Sequence, residues 1–161
     1  MQGQAEDGMA QLSQGMAAYR ATGAEIGWPL LLTLRAEVYG KAGQAGEGLT
    51  ALAEALALVN KTSEHCYEAE LHRLKGELLL QQDAGSGDEA ETCFRQALDV
   101  AGCQQAKSLE LRAAMSLARL WQRQGKRNEA HQLLADVYGW FTEGFDTADL
   151  QEAKALLEEL A

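Results

Sequence analysis

The chain has 161 residues, 14 basic and 24 acidic, for a formal net charge of −10, with 47% hydrophobic residues, one proline and three cysteines. At this length one domain buries about 68–70% of its unfolded surface, so neither disulfides nor a metal is required. The acidic balance repels phosphate backbones and argues against nucleic acid as a partner, and no apolar run approaches the ~20 residues of a membrane span.

Leu, Ala, Glu and Gln outnumber the β-branched and aromatic residues, which favours helix over strand. In chain order, an incoming helix is expected over 7–21, within a partial unit 1–23. Helices over 28–42 and 45–60 make a first pair (28–60), and helices over 64–82 and 88–101 a second (64–101). Helices over 105–124 and 128–140 make a third (105–141). A capping helix over 148–160 closes the chain within 146–161, and all of it, 1–161, reads as one domain. Asp88 with Glu91 three residues on reads as an Asp-led capping box, and Asp146-Thr147 precedes the last helix. The three cysteines, Cys66, Cys93 and Cys103, lack C-x-x-C spacing and read as free, partly buried thiols of a reducing compartment. With no secretory signal pattern at Met1-Gln2-Gly3-Gln4, a cytoplasmic location is expected.

An internal repeat organises these helices. Ala36-Glu37-Val38-Tyr39, Gly76-Glu77-Leu78-Leu79 and Ala118-Arg119-Leu120-Trp121 each place a small residue first and a large apolar one three positions later. In the helix that follows, Gly48, Leu52 and Ala55 correspond to Ala90, Phe94 and Ala97, and then to Ala130, Leu134 and Val137. Gly43, Gly85 and Gly125 stand between the two helices of each unit, where a helix end favours positive φ. Short side chains let two antiparallel helices approach, and the large residues one turn away fill the flanking gaps. One such pair cannot bury its apolar face alone, whereas stacked pairs share a continuous core.

This pattern resembles the tetratricopeptide repeat, and the third unit matches best through Leu117, Ala118, Trp121, Gly125, Ala130 and Leu134. Arg35 and Lys75 stand where that motif has leucine, Gly48 replaces alanine, and the second unit has an enlarged loop from Asp83 to Asp88. The resemblance implies an all-α fold, a right-handed α–α superhelix of helix pairs with a C-terminal capping helix. The spacing of 40 and 42 residues between units implies helices about one turn longer than the family's usual ones. Residues 139–150, GWFTEGFDTADL, with 151–157 after them, resemble the C-terminal end of bacterial multidomain signalling ATPases and adenylate-cyclase-like regulators. In this tail Trp140, Phe141 and Phe145 are expected to cover the last pair. The incoming helix, with Gly8, Leu12 and Met16, resembles the second helix of a preceding unit.

The resemblance also implies a function, the holding of another protein's segment on the concave face lined by the first helix of each unit. That face would present Thr33, Glu37 and Lys41, then Glu70, Arg73 and Glu77, then Arg112, Met115, Arg119 and Arg123. The peptide-binding candidates are Glu37, Lys41, Arg73, Glu77, Arg112, Met115, Arg119 and Arg123. Arg112, Arg119 and Arg123, spaced on one helix side, would anchor an acidic or C-terminal peptide, since guanidinium pairs carboxylate bidentately. Alternatively the arginines pair with Glu70 and Glu77 of the neighbouring helix. The asparagines of the family's carboxylate clamp are absent. A second functional reading is self-association, with exposed Leu12 and Met16 forming a homodimer through the N-terminal end.

Nothing in the sequence points to catalysis, a cofactor or a metal, and no enzyme activity is expected. Gly85-Ser86-Gly87 lacks the lysine of a phosphate loop. His65, Cys66 and His72 lack paired metal-ligand spacing. No nucleophile signature surrounds the cysteines, Cys93 beside Phe94 reads as core, and Glu64, Glu68, Glu70 and Glu77 read as a solvated face.

Overall fold

A computed structural model describes residues 2–24 and 26–161, with the side chains of residues 2–7 outside the description. The described residues form eight α-helices and no strand: α1 (Gln2–Ala21), α2 (Trp28–Lys41), α3 (Ala45–Thr62), α4 (Glu68–Gln82), α5 (Gly87–Cys103), α6 (Lys107–Arg123), α7 (Arg127–Tyr138) and α8 (Ala148–Leu160). The expected long helix from residue 64 is broken, because a short 3-10 turn at His65–Tyr67 precedes α4.

The closest partners are α2 with α3, α4 with α5 and α6 with α7, each pair antiparallel. Successive pairs then meet through α3 on α4 and α5 on α6. First helices also touch directly, α2 with α4, α4 with α6 and α6 with α8, so they form the inner layer of an α–α superhelix. This is the all-α repeat architecture that the resemblance implied.

The small residues sit where the helices come together. Ala36, Ala55, Ala97, Ala118 and Ala130 are fully buried. A Cβ placed on Gly48 would lie 3.2 Å from the Ala36 carbonyl and 2.7 Å from Leu78 Cδ1, so at this crossing α3 presses on α2 and α4 together. Around these points Leu32, Leu52, Leu71 and Val59 fill one core region, and Phe94 with Leu117 and Leu120 fills the next. Leu111, Leu134, Leu150 and Leu156 fill the last.

Two turns follow the expected chemistry and one does not. Gly43 and Gly125 adopt φ of 75° and 80°, the left-handed conformation that ends α2 and α6. Gly85 does not, and its N–H instead donates to Asp83 Oδ1 at 2.9 Å, so a side chain shapes this turn. The capping box also fails. Helix α5 begins after Ser86 with no side-chain cap, which leaves Asp88 inside the first turn, and Glu91 accepts from Arg95 instead.

At the two ends the sequence reading needs correction. Met16 is 6% exposed and packs with Leu12, Trp28 and Leu31, so α1 spends its apolar seam on α2 rather than leaving it open. At the far end α8 takes the place of a further first helix and buries Leu150, Ala153, Leu156 and Leu160 on α6 and α7. Those residues, with half-buried Phe141, close the stack; Phe145 packs on Tyr138 at 5.9 Å and Trp140 on Phe141 at 5.3 Å between ring centres, but at 47% and 59% exposure they cover the end only in part. No helix among the described residues is long and apolar enough to cross a membrane.

Candidate binding groove

The inner faces of α4, α6 and α8 carry one connected set of charges. Arg73 on α4 is its centre. Its Nε and Nη2 donate to the two oxygens of Glu70, both at 2.8 Å, and Nη1 donates to Glu77. Residues three and four apart on a helix are neighbours, so α4 places both carboxylates around one guanidinium. Ser116 of α6 donates to Glu77 at 2.8 Å, and Arg73 Nη1 lies 3.3 Å from the same hydroxyl. Burial opposes the charge of Arg73, and the hydrogen bond and charges of Glu70, followed by those of Glu77 and Glu37, more than offset this and raise its pKa.

Helix α6 joins this set to the cap. Arg112 donates to Glu70 at 3.2 Å and to Asp149 of α8 at 3.0 Å, and Arg119 donates to Glu152 of α8. Arg123 forms no ion pair among the described residues and is exposed. The arginine stripe therefore divides. Arg112 is shared between Glu70 and the cap, Arg119 meets the cap alone, and Arg123 is uncommitted.

Several expectations change here. Glu70 is not part of a solvated face, because it is 8% exposed and held by two arginines. Met115 is 3% exposed and belongs to the core beneath the groove, and Thr33 is buried with its hydroxyl donating to the Pro29 carbonyl. Glu37 and Lys41 are brought together, but as an exposed pair at 2.7 Å on the α2 flank. Asp149, Glu152 and Ser116 were missing from the candidates. Extending the inner layer by one first helix, which α8 supplies, would have found the two carboxylates.

Three depressions follow this layer. One of about 230 Å³ lies between α2 and α4, beside Glu37, Lys41, Arg73 and Gln81. A second of about 330 Å³ lies between α4 and α6, with Leu80, Phe94 and Leu120 beneath Glu77, Arg119 and Arg123. The third, about 180 Å³, is the charged hollow shared with α8. Among the described residues no group of three or more His, Cys, Asp or Glu is placed to hold a metal ion.

One more titratable group on α4 is buried. His72 is 7% exposed, its Nδ1 has no partner among the described residues, and its Nε2 lies 3.9 Å from Glu68. Burial lowers its pKa below 6.5, Lys75 adds to this, and Glu68 opposes it. The unfolded chain thus takes up this proton at higher pH than the folded one. The stability tied to a neutral His72 is present above about pH 6.5 and declines as pH falls through 6.5 toward the lowered value. Urea midpoints at about pH 7.5 and pH 5.5 are expected to differ less for His72→Gln than for the parent. An equal drop in both proteins would assign the pH response to other groups.

No family model matches the sequence and no curated protein matches it. Among solved structures the chain is similar to nearly identical TPR-like repeats from Podosopora anserina, of a protein assigned as a kinesin light chain. Identity is 22% with a TM-score of 0.68, over 99% of this chain and 78% of that one. A variant of the same repeats aligns at 21% identity and TM-score 0.67, over 99% of this chain and 86% of that one. At these identities the likeness carries the fold, and the fold is a tetratricopeptide-like helical repeat.

Proposed function

We propose that residues 1–161 act as one protein-interaction module that holds a segment of another protein along the inner layer α2–α4–α6. The observation that carries this reading is the depression between α4 and α6, where exposed Arg123, without an ion pair among the described residues, stands beside half-buried Leu80, with buried Phe94 and Leu120 behind it. Arg123 and the partly exposed Arg119 favour an acidic segment, since a guanidinium unmatched by a local carboxylate gains most from one supplied by a partner. Arg123→Glu is expected to weaken binding of an acidic peptide by about fivefold, the scale of one partly screened ion pair. Helicity and melting midpoint should stay unchanged, because exposed Arg123 forms no ion pair or side-chain hydrogen bond among the described residues. Binding of the parent should also weaken with salt, which screens exposed pairs beyond about 8–10 Å near physiological ionic strength. Equal affinity of parent and variant would move the site away from α6.

The resemblance of residues 139–157 supports a setting at the sensor or scaffold end of a larger bacterial signalling protein, and an ATPase domain upstream in the same reading frame would bear this out. Self-association is the second reading. It rests on α1, where Gly8–Tyr19 contains no charged residue and most of its side chains are exposed. A monomer mass by light scattering at high concentration would remove it.

A further inference from the structure

At the opposite end of the molecule from the cap, a cleft of about 270 Å³ opens between the end of α1, the start of α2 and the end of α3. Its lining is unlike the groove's. Arg20 stands with its guanidinium carbon 5.3 Å from the centre of the Trp28 ring, and Tyr19 stacks with the same ring at 6.4 Å and 12°. Lys61 and Glu54 face the cleft from α3, and Pro29 and Leu58 complete its apolar wall. Neither Arg20 nor Lys61 forms an ion pair among the described residues, although the chain carries a net charge of −10.

We propose that this cleft is a binding site, separate from the groove, for a small flat aromatic anion bearing a carboxylate or a phosphate. A guanidinium laid against an aromatic face is positioned before any ligand arrives, and its N–H donors carry no carboxylate among the described residues, so less rotamer freedom is lost on binding. Lys61 supplies a second positive charge from another helix. Half-buried Trp28 and Leu58, with Pro29 buried behind them, offer apolar surface that neither a bare anion nor a long charged chain would use. The volume is just below the usual range for small-molecule sites, which limits the ligand to about the size of a bicyclic ring. Glu54 lies in the same lining and would disfavour a ligand with two anionic groups.

The test is an NMR titration of the full chain with three probes: 1-naphthoate, its neutral isostere 1-naphthalenemethanol, and acetate. A naphthyl phosphate arm distinguishes phosphate from carboxylate. Saturable shifts with naphthoate at the Trp28 indole N–H and at Gly23 are expected, with the neutral alcohol and acetate at least about tenfold weaker, the scale of a charge-assisted hydrogen bond. Arg20→Ala and Lys61→Ala should each weaken naphthoate binding, while Lys41→Ala, on the α2 flank of the groove, should not. All three residues are exposed, so the variants are expected to keep the parent's helicity by circular dichroism. Absence of saturation at millimolar probe would overturn the proposal, as would equal binding of the neutral isostere. Shifts confined to Arg119 and Arg123 would place the anion in the groove and overturn it too, while supporting the groove reading.

Discussion

Phe94→Ala is expected to lower the unfolding free energy by about 3–5 kcal/mol, the usual range for emptying a buried aromatic site. The ring is 1% exposed and is packed in the middle of the stack, with Leu117, Leu120 and Ala90 against it. Its position explains a residue that helix propensity alone disfavours. A Cβ on Gly76 would lie 2.6 Å from Phe94 Cε1 and 2.9 Å from Cδ1 and Cζ, so only glycine leaves room for the ring on α4. Gly76→Ala gains about 1 kcal/mol of helix propensity but forces a rigid ring to move, an overpacking that runs at about 1–3 kcal/mol. The overlap wins, and a net loss is expected. Because the two residues touch, their effects should not add. Gly76→Ala with Phe94→Leu should be less harmful than the sum of its parts, since the smaller side chain vacates the space that the methyl enters. Urea denaturation followed by circular dichroism measures the parent, Phe94→Ala, Gly76→Ala, Phe94→Leu and the double variant. A loss under about 1 kcal/mol for Phe94→Ala would mean that the α4–α5 crossing is looser than this packing implies.

That crossing shows why the fold was legible in the sequence. The repeated small and large positions encode how near two helices come, and at this crossing the small position of the first helix, Gly76, meets the large position of the second, Phe94. Helix ends were less legible, because they depend on single hydrogen bonds. Asp83 took over the turn at Gly85, and Arg95 took Glu91 away from a capping role. The groove was legible only in part. Spacing put Arg112, Arg119 and Arg123 on one helix, but it could not say which would be neutralised. Their partners Asp149 and Glu152 lie more than thirty residues away on a helix whose sequence reads only as an amphipathic cap. Glu70 and Glu77 have the same composition signature, yet one is buried between two arginines and the other is half-exposed. Position in the inner layer, rather than residue type, decides which of these charges a partner can reach.

Arg73 is the charge whose removal should be felt most. Its side chain is 13% exposed and that of Glu70 only 10%, so the pair is largely out of water. Taking one partner from a buried pair leaves an uncompensated charge, at about 3–5 kcal/mol. In Arg73→Met, Glu70 keeps Arg112 at 3.2 Å and Glu77 keeps Ser116, which puts the expected loss near the lower figure. Arg73→Met with Glu70→Gln should recover part of it, because no buried carboxylate is then left without its main partner. Salt separates this pair from the groove's outer charges. The deficit of Arg73→Met should persist at about 1 M salt, since buried pairs are screened far less than exposed ones. Arg119, whose partner Glu152 is 58% exposed, should show an effect of at most about 1 kcal/mol that fades with salt. If Arg73→Met instead proves nearly neutral and salt-sensitive, the charges around Glu70 are solvated and the whole inner layer, not its α6 edge alone, is open to a partner. If it behaves as expected, Arg73, Glu70 and Arg112 form the fixed frame of the groove, and Arg123 with the exposed part of Arg119 is what remains to recognise a bound segment.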